Sequence, residues 1–464
     1  MQNVLVIAYY FPPSGGAGVQ RTLKHIQYLR DFGWNPVVLT VANGDFPARD
    51  ISLLDKIPTD VHVERTHIYE PYDIYRKLTG KPAGAPVDVD NVKTDSAERT
   101  MTQRVAEFVR ATFFIPDARI GWLWTAVPVG LRLIREYNIQ ALYNSAPPYT
   151  TALIARELKR KTGLRWITCL RDPWTGFISG PKRWWLPAWI ERQLERSVME
   201  EADAIECAWE GIVADIAAKY PYLAGKKSLQ GSHTTTTELS TAPPSKLVHI
   251  PNGFDSSDYP TLSPDDVDAL KTSRRFVLTY TGALYGRRNP TSLFAAFRLL
   301  VEQGRITPEQ VLMRFVGRFG SEIHAMFAAF PFQESLDVVG YVPHEESIRQ
   351  LLCSHAALLI VDEAKESNEI VPGKVYEYIG AGKPVIAVAP RNSAIERLLD
   401  ETRAGRVAHQ HDIERLADIL FGYVQDWKNG STVHFLPNKE AIARYERRNA
   451  TKQLADLLSN KQHS

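Results

Sequence analysis

Two glutamates, Glu369 and Glu377, stand with seven residues between them in the stretch Asn368-Glu369-Ile370-Val371-Pro372-Gly373-Lys374-Val375-Tyr376-Glu377. In a fully helical segment they would be separated by about 12 Å, at 1.5 Å rise per residue. That is too far for carboxylates sharing one proton, and it suits two separate contacts along one elongated ligand. Ile370, Val371, Pro372, Gly373 and Lys374 lie between them. A helix opening at Pro372 would leave backbone N–H groups there, aimed at an anionic part of the ligand. The alternative is a surface loop and helix carrying two solvated glutamates.

Cations and glycines are grouped elsewhere. Arg287 and Arg288 follow Gly282 in Gly282-Ala283-Leu284-Tyr285-Gly286-Arg287-Arg288-Asn289-Pro290. Two guanidiniums beside a helix start can clamp a diphosphate through charge-assisted bonds, although exposed arginines with no such task would look the same. Near the N-terminus, Gly15 and Gly16 lie in Phe11-Pro12-Pro13-Ser14-Gly15-Gly16-Ala17-Gly18, where the backbone can approach a ligand closely. Arg171-Asp172-Pro173-Trp174 is a charged pair at the end of an apolar run. It is either a site or a structural ion pair.

The elements that must position these residues read as strands and helices in alternation. The apolar runs 4–9, 36–40, 140–144, 165–170 and 204–208 predict buried parallel strands, as do 276–282, 311–316, 336–342, 356–361 and 385–388. Helical periodicity follows 19, with Leu23, Ile26 and Leu29 on one face, and Gly33 stops it. Each candidate sits at the carboxyl end of a predicted strand, where open α/β sheets bind ligands. Residues 43–120, with Pro58, Pro71, Pro82 and Pro86, read as an irregular insertion, and 260–273 as a polar linker.

At 464 residues the chain calls for two domains. Lys+Arg of 55 against Asp+Glu of 53 gives no global field to attract nucleic acid. Cys169, Cys207 and Cys353 form neither a zinc pattern nor a disulfide framework, and read as buried thiols in a reducing compartment. No apolar stretch reaches the length of a membrane span, and residues 1–8 read as a strand rather than a signal peptide, so a cytoplasmic location is expected. The turn after the first strand is not Gly-x-Gly-x-x-Gly and no acidic residue closes the second strand, which disfavours a nicotinamide or flavin. No Asp-x-Asp triplet stands near a predicted strand end to mark a metal site. Two regions combine aromatic rings with cations: the segments 105–114 and 120–134, whose plain reading is helices covering the sheet, and Lys182-Arg183-Trp184-Trp185-Leu186-Pro187-Ala188-Trp189-Ile190. Tryptophans packed under loops, or a face at a membrane surface, are the two readings.

Glu-x7-Glu followed by a helix and Gly-Lys-Pro-Val, together with Pro251-Asn252-Gly253-Phe254-Asp255, resembles the retaining GT-B glycosyltransferases of family 4. The resemblance implies an α/β GT-B fold, with two Rossmann-like doubly wound domains facing a cleft. The expected divisions are residues 1–255, a linker 256–274, a donor domain 275–435, and a C-terminal helix in 436–464 packing back on the first domain. It places Glu369 beside the donor sugar and Glu377 on the nucleotide ribose. Gly15 and Gly16 would face donor phosphate and acceptor, Gly282 and Gly317 the same cleft, and Val342 the base. The family's Gly-Arg-x4-Lys has Ala283 in place of its arginine here, and Arg288 in place of its lysine. Arg288 therefore inherits the phosphate role, with Arg287 as a substitute for the missing arginine. Arg171-Asp172 stands where many members have a histidine, as in the branch reading Arg-Asp-x-Trp, and Asp172 is preferred as the polar helper.

The function implied is transfer of a sugar from a nucleotide-diphosphate donor to a hydroxyl on a saccharide or lipid-linked acceptor. It would proceed without metal or resident cofactor, in bacterial surface polysaccharide or glycolipid synthesis; a lipid-linked acceptor and peripheral contact at the inner membrane face rest on the two aromatic–basic stretches alone. Two rivals share the scaffold: a nucleotide-sugar epimerase or hydrolase, and a degenerate nucleotide-binding or assembly protein.

Overall fold

A computed structural model describes residues 1–46, 49–69, 108–176, 180–223, 245–363 and 368–460. The chain divides into two compact units, Met1–Pro251 with Arg448–Ser464, and Asn252–Arg447.

The first unit is built on a parallel sheet of seven strands: β1 (Gln2–Ala8), β2 (Trp34–Val41), β3 (His62–Thr66), β4 (Ile139–Ala146), β5 (Arg165–Leu170), β6 (Ala204–Cys207) and β7 (Leu247–His249). Their order is β3-β2-β1-β4-β5-β6-β7. Both faces are covered, which explains the near-continuous apolar strands. Leu5 and Ile7 of β1 enter one core with Trp122, Leu142 and Trp166. Val4 and Val6 point the other way, to Ile26, Tyr143 and the C-terminal residues Leu454 and Leu458. The helix Arg447–Leu458 thus completes the second face of this sheet, and His25 Nδ1 lies 2.9 Å from Thr451 Oγ1 at the seam.

The second unit holds six parallel strands: β8 (Phe276–Thr281), β9 (Val311–Val316), β10 (Leu336–Gly340), β11 (Ala356–Ile360), β12 (Val385–Val388) and β13 (Gly405–Ala408), in the order β10-β9-β8-β11-β12-β13. Leu358 and Ile360 of β11 join one core with Tyr280 and Phe315. Ala357 and Leu359 join the other, with Val375, Tyr378 and Ile379 of the helix Gly373–Gly380.

Two stretches differ from their sequence reading. The expected irregular insertion contains β3, which pairs with β2 from Val37↔His62 to Val41↔Thr66. Its sequence, His-Val-Glu-Arg-Thr, has no apolar run because it is an edge strand with one neighbour. The expected polar linker contains a helix, Pro264–Lys271. Ser263 Oγ accepts from Asp266 N (3.1 Å) while the Asp266 carboxylate accepts from Ser263 N (3.4 Å), a capping box with proline at the first turn. Residues 105–107 of the expected aromatic helix lie outside the described residues, and 108–113 are helical. Among the described residues, no helix is long and apolar enough to cross a membrane.

Candidate functional site

Each sheet reverses its strand order beside its first strand, at β1/β4 in one unit and β8/β11 in the other. Such switch points open a crevice outside the strands' carboxyl ends.

At the β8/β11 switch the sequence places glycine where no side chain fits. Gly282 leaves β8 at φ +112° and Gly317 leaves β9 at φ +148°. A Cβ on Gly317 would stand 1.8 Å from the Gly282 carbonyl oxygen. The Gly282 amide donates to Val316 O (2.8 Å) and the Gly317 amide to Gly340 O (2.7 Å), so the three strand ends are laced together. A Cβ on Gly282 would meet Lys374 Nζ at 2.6 Å. Lys374 lies in the first turn of Gly373–Gly380, which has Pro372 at its N-cap and no side-chain cap. Ile370, Val371, Pro372 and Gly373 lead into that turn, all partly buried.

Two tyrosines hold this helix in place. Tyr378 OH accepts from the Thr281 amide (3.0 Å), and Tyr259 OH donates to Glu377 O (2.8 Å). Lys374 Nζ donates to Tyr280 OH (2.7 Å) and sits 4.2 Å from the centre of that ring. Burial, seconded by the charge of Arg288 and opposed by Glu377, brings the Lys374 ammonium down to about 7. Burial pushes the Tyr280 phenol well above its ordinary value.

Arg288 closes a short hairpin with Tyr285, the two exchanging backbone bonds of 3.0 and 3.1 Å. Its guanidinium lies 5.6 Å from the Tyr285 ring centre, and its Nε is buried without a hydrogen-bond partner. The Nε atoms of Arg156, Arg171 and Arg275 are buried in the same way, so this feature by itself does not mark an anion site. Arg287 is exposed at the hairpin tip. Glu377 lies one turn beyond Lys374 on the same helix face, and its Oε1 is 3.0 Å from His344 Nε2. His344 opens the helix His344–Leu352 immediately after Tyr341-Val342-Pro343, and the Arg318 guanidinium stacks 4.3 Å from the Tyr341 ring centre.

The structure therefore gathers Gly282, Gly317, Arg288, Lys374 and Glu377, with Val342 on the loop beside His344. Glu369 stands before the helix rather than in it, and its Oε2 pairs with Arg397 Nη2 at 2.6 Å. Its neighbours 364–367 lie outside the described residues. Among the described residues no group of three or more His, Cys, Asp or Glu side chains is placed to hold a metal ion.

The β1/β4 switch has a parallel construction. Gly16 turns the chain at φ +99° with open space around it, and Gly15 precedes it, partly buried. A Cβ on Gly18 would lie 1.7 Å from Arg171 Nη1. The Arg171 guanidinium donates to the Pro147 carbonyl and rests 5.6 Å from the Tyr10 ring centre. The arginine rather than Asp172 therefore faces the glycine-rich turn. The backbone carbonyls of Asp172 and Pro173 accept from Tyr149 OH (3.3 and 2.7 Å), and Trp174 stacks on Tyr149 at 4.5 Å. Downstream, Thr175 N and Oγ1 donate to the buried carboxylate of Glu195 (3.2 and 2.5 Å).

Sequence reasoning passed over Tyr280, His344, Arg397 and Glu195. His344 follows directly on a segment already singled out, so proximity in sequence was a usable signal. Tyr280 stands two residues before Gly282 in a strand already read, so it was in reach too, whereas Arg397 and Glu195 are brought in from distant elements and carry no such signal.

No family model matches this sequence, and no curated protein matches it. Solved structures do. HepE of Anabaena in complex with UDP matches with TM-score 0.62 and 15% identity, over 99% of this chain and 100% of that one. Sucrose-phosphate synthase of Thermosynechococcus elongatus matches with TM-score 0.58 and 12% identity, over 99% of each chain. WaaG, a glycosyltransferase involved in lipopolysaccharide biosynthesis, matches with TM-score 0.54 and 11% identity, over 98% of this chain and 99% of that one. These are GT-B proteins, and at such low identity the likeness establishes the fold: two Rossmann-like units of the GT-B type.

Proposed function

We propose that the chain is a retaining glycosyltransferase that moves a sugar from a nucleoside-diphosphate donor to a hydroxyl acceptor, with the donor held by the second unit. The observation that carries this reading is the Lys374 ammonium lying in the space left by Gly282, across the β8/β11 switch, lowered by burial first and by the nearby Arg288 charge second. A cationic pocket at an uncapped helix start is built for a diphosphate. The UDP and UDP-glucose held by the HepE structures support beginning with a uridine donor.

In this reading the bond between the anomeric carbon and the diphosphate oxygen breaks, and a bond from that carbon to the acceptor oxygen forms on the same face. The acceptor proton passes to a donor phosphate oxygen. Lys374, Arg288 and the amides of Gly373 and Lys374 stabilise the charge gathering on the departing diphosphate. Removing one such preorganised donor typically costs about 10²–10³ in rate. Arg287 adds to the field from the hairpin tip, so no divalent metal is required. Glu377 holds the ribose with its carboxylate oriented by His344, and Val342 meets the base. Glu369 orients the sugar after exchanging Arg397 for sugar hydroxyls. On the first unit, the Gly15-Gly16 turn is the candidate acceptor contact, and the charged group facing it is Arg171 rather than the expected helper Asp172. The acceptor is a saccharide or lipid-linked hydroxyl, in surface polysaccharide or glycolipid synthesis at the cytoplasmic side.

The test is calorimetry with UDP, GDP, ADP, dTDP and CMP in EDTA, repeated with Glu377→Ala and Arg288→Ala. Micromolar binding of one diphosphate, weakened by both substitutions, is the expected result. Binding of none would overturn the donor site. Release of free sugar from UDP-glucose without acceptor, persisting in the presence of candidate acceptors, would reassign the chain as a hydrolase.

A further inference from the structure

Two segments of the first unit with aromatic side chains and cations, separated in sequence, meet on one face. Arg183 is buried, and its guanidinium donates to the carbonyls of Ala111 (2.7 Å), Phe114 (2.9 Å) and Pro116 (2.9 Å) while its Nε pairs with Glu191 (2.8 Å). It thereby caps the C-terminus of the helical segment 108–113 and fixes it to the start of the helix Trp185–Glu201. Trp184 Nε1 reinforces the joint by donating to Thr112 Oγ1 (3.1 Å).

The joint is buried, but the face it creates is not. Phe108 is 59% exposed, Phe113 69%, Trp185 74% and Trp189 52%. Along the helix Trp185–Glu201, Trp185, Trp189, Arg192 and Arg196 recur at helical spacing, so two indoles and two guanidiniums form one outward stripe. The only carboxylates in 108–116 and 180–199 are Glu191, committed to Arg183, and Glu195, buried beneath. Arg196 is paired with Glu200 (2.8 Å), which leaves Lys182 and Arg192 as the dominant charges beside the indoles.

Apolar rings projecting from a face whose charge is cationic match one surface by chemistry. We propose that this face seats on a bilayer containing anionic lipid, with Trp185 and Trp189 at headgroup depth and Lys182 and Arg192 against the lipid phosphates. A second copy of the chain fits less well. An isologous contact would bring the same cations face to face. The inference goes beyond the donor chemistry proposed above and does not depend on it.

The inner side of the same helix gives the seat a consequence. Glu195 projects from it to hold Thr175, and Lys219 Nζ and Tyr220 OH converge on that carboxylate (3.4 and 3.1 Å). The helix that meets the bilayer is therefore the one that fixes the Arg171–Thr175 loop at the strand ends.

The test is flotation of the full chain with vesicles of phosphatidylcholine plus phosphatidylglycerol, against vesicles of phosphatidylcholine alone. Binding to the anionic vesicles, weakened by salt, is expected. Lys182→Glu with Arg192→Glu should weaken it by at least about 25-fold, taking roughly fivefold for each basic residue lost at an anionic surface. Trp185→Ser with Trp189→Ser should weaken it at least about tenfold. Both variants should keep the wild-type melting temperature and diphosphate binding, because all four side chains are exposed. Equal flotation of wild type and both variants would overturn the proposal, as would no flotation at all. Self-association without vesicles that Trp185→Ser with Trp189→Ser abolishes would assign the face to a second copy instead.

Discussion

Both units place a glycine between their first strand and the body of the helix that follows, and fill the space of its missing side chain with a cation from a later element. In the first unit the pair is Gly18 and Arg171; in the second it is Gly282 and Lys374. The two cations are in different situations. Arg171 donates to the Pro147 carbonyl and rests on the Tyr10 ring, tying strand ends together, while its Nε is buried without a hydrogen-bond partner. Lys374 has a tyrosine hydroxyl and its ring, with a second cation near enough to depress its charge. On the function proposed above, the same construction serves as a structural clamp in one unit and as an anion receptor in the other. The difference lies in whether a backbone carbonyl is there to absorb the charge.

Substitutions can separate the two roles. Gly282→Ala should have the largest effect, because a side chain at φ +112° costs about 1–3 kcal/mol in backbone strain and also displaces Lys374. Melting temperature and diphosphate affinity should fall together, and an unchanged affinity would detach Lys374 from the donor site. Lys374→Met should act on binding alone. Losing a charge-assisted bond worth about 1.5–3 kcal/mol predicts diphosphate binding weaker by roughly ten- to a hundredfold, at undiminished thermal stability.

The pH dependence gives a subtler contrast. A lysine lowered to about 7 in the folded protein is partly neutral at that pH, and a diphosphate favours its protonated form. Binding should take up a proton, and affinity should fall as pH rises above 7, approaching a tenfold loss per unit. Calorimetry in buffers of different ionisation enthalpy reads the uptake, and Lys374→Met should flatten the profile. For folding the sign is opposite. The unfolded chain holds that proton up to the ordinary lysine value, so stability rises with pH across the window between the two values. Gly18→Ala should be the mildest, a loss on the order of 1 kcal/mol as the Arg171 guanidinium shifts, with donor binding unchanged. A large loss of donor binding in Gly18→Ala would erase the distinction between the two pairs.

Much of this architecture was legible before any coordinates. The strand runs were readable because parallel strands buried on both faces carry unbroken apolar sequence, as 165–170 and 311–316 do. The edge strand His62–Thr66 escaped because one neighbour and partial exposure leave it polar. The helix Pro264–Lys271 escaped because its signal was a Ser-x-x-Asp cap on a polar segment, not an apolar stripe. At the site, Gly282, Arg288, Lys374 and Glu377 were named from local spacing together with the family resemblance. The pairing of Glu369 with Arg397, and of Glu377 with His344, was not.

Local chemistry was settled by the sequence itself: where the chain must turn, which helix starts stay open, and which strand ends carry charge. These depend on steric and hydrogen-bonding rules that act over a few residues. Tertiary structure decided which cation is spent and which is kept. Lys374 and Tyr280 are 94 residues apart, and Arg171 meets Pro147 across two strands. No spacing rule reaches that far, because what fixes those contacts is the stacking order of strands in a folded sheet.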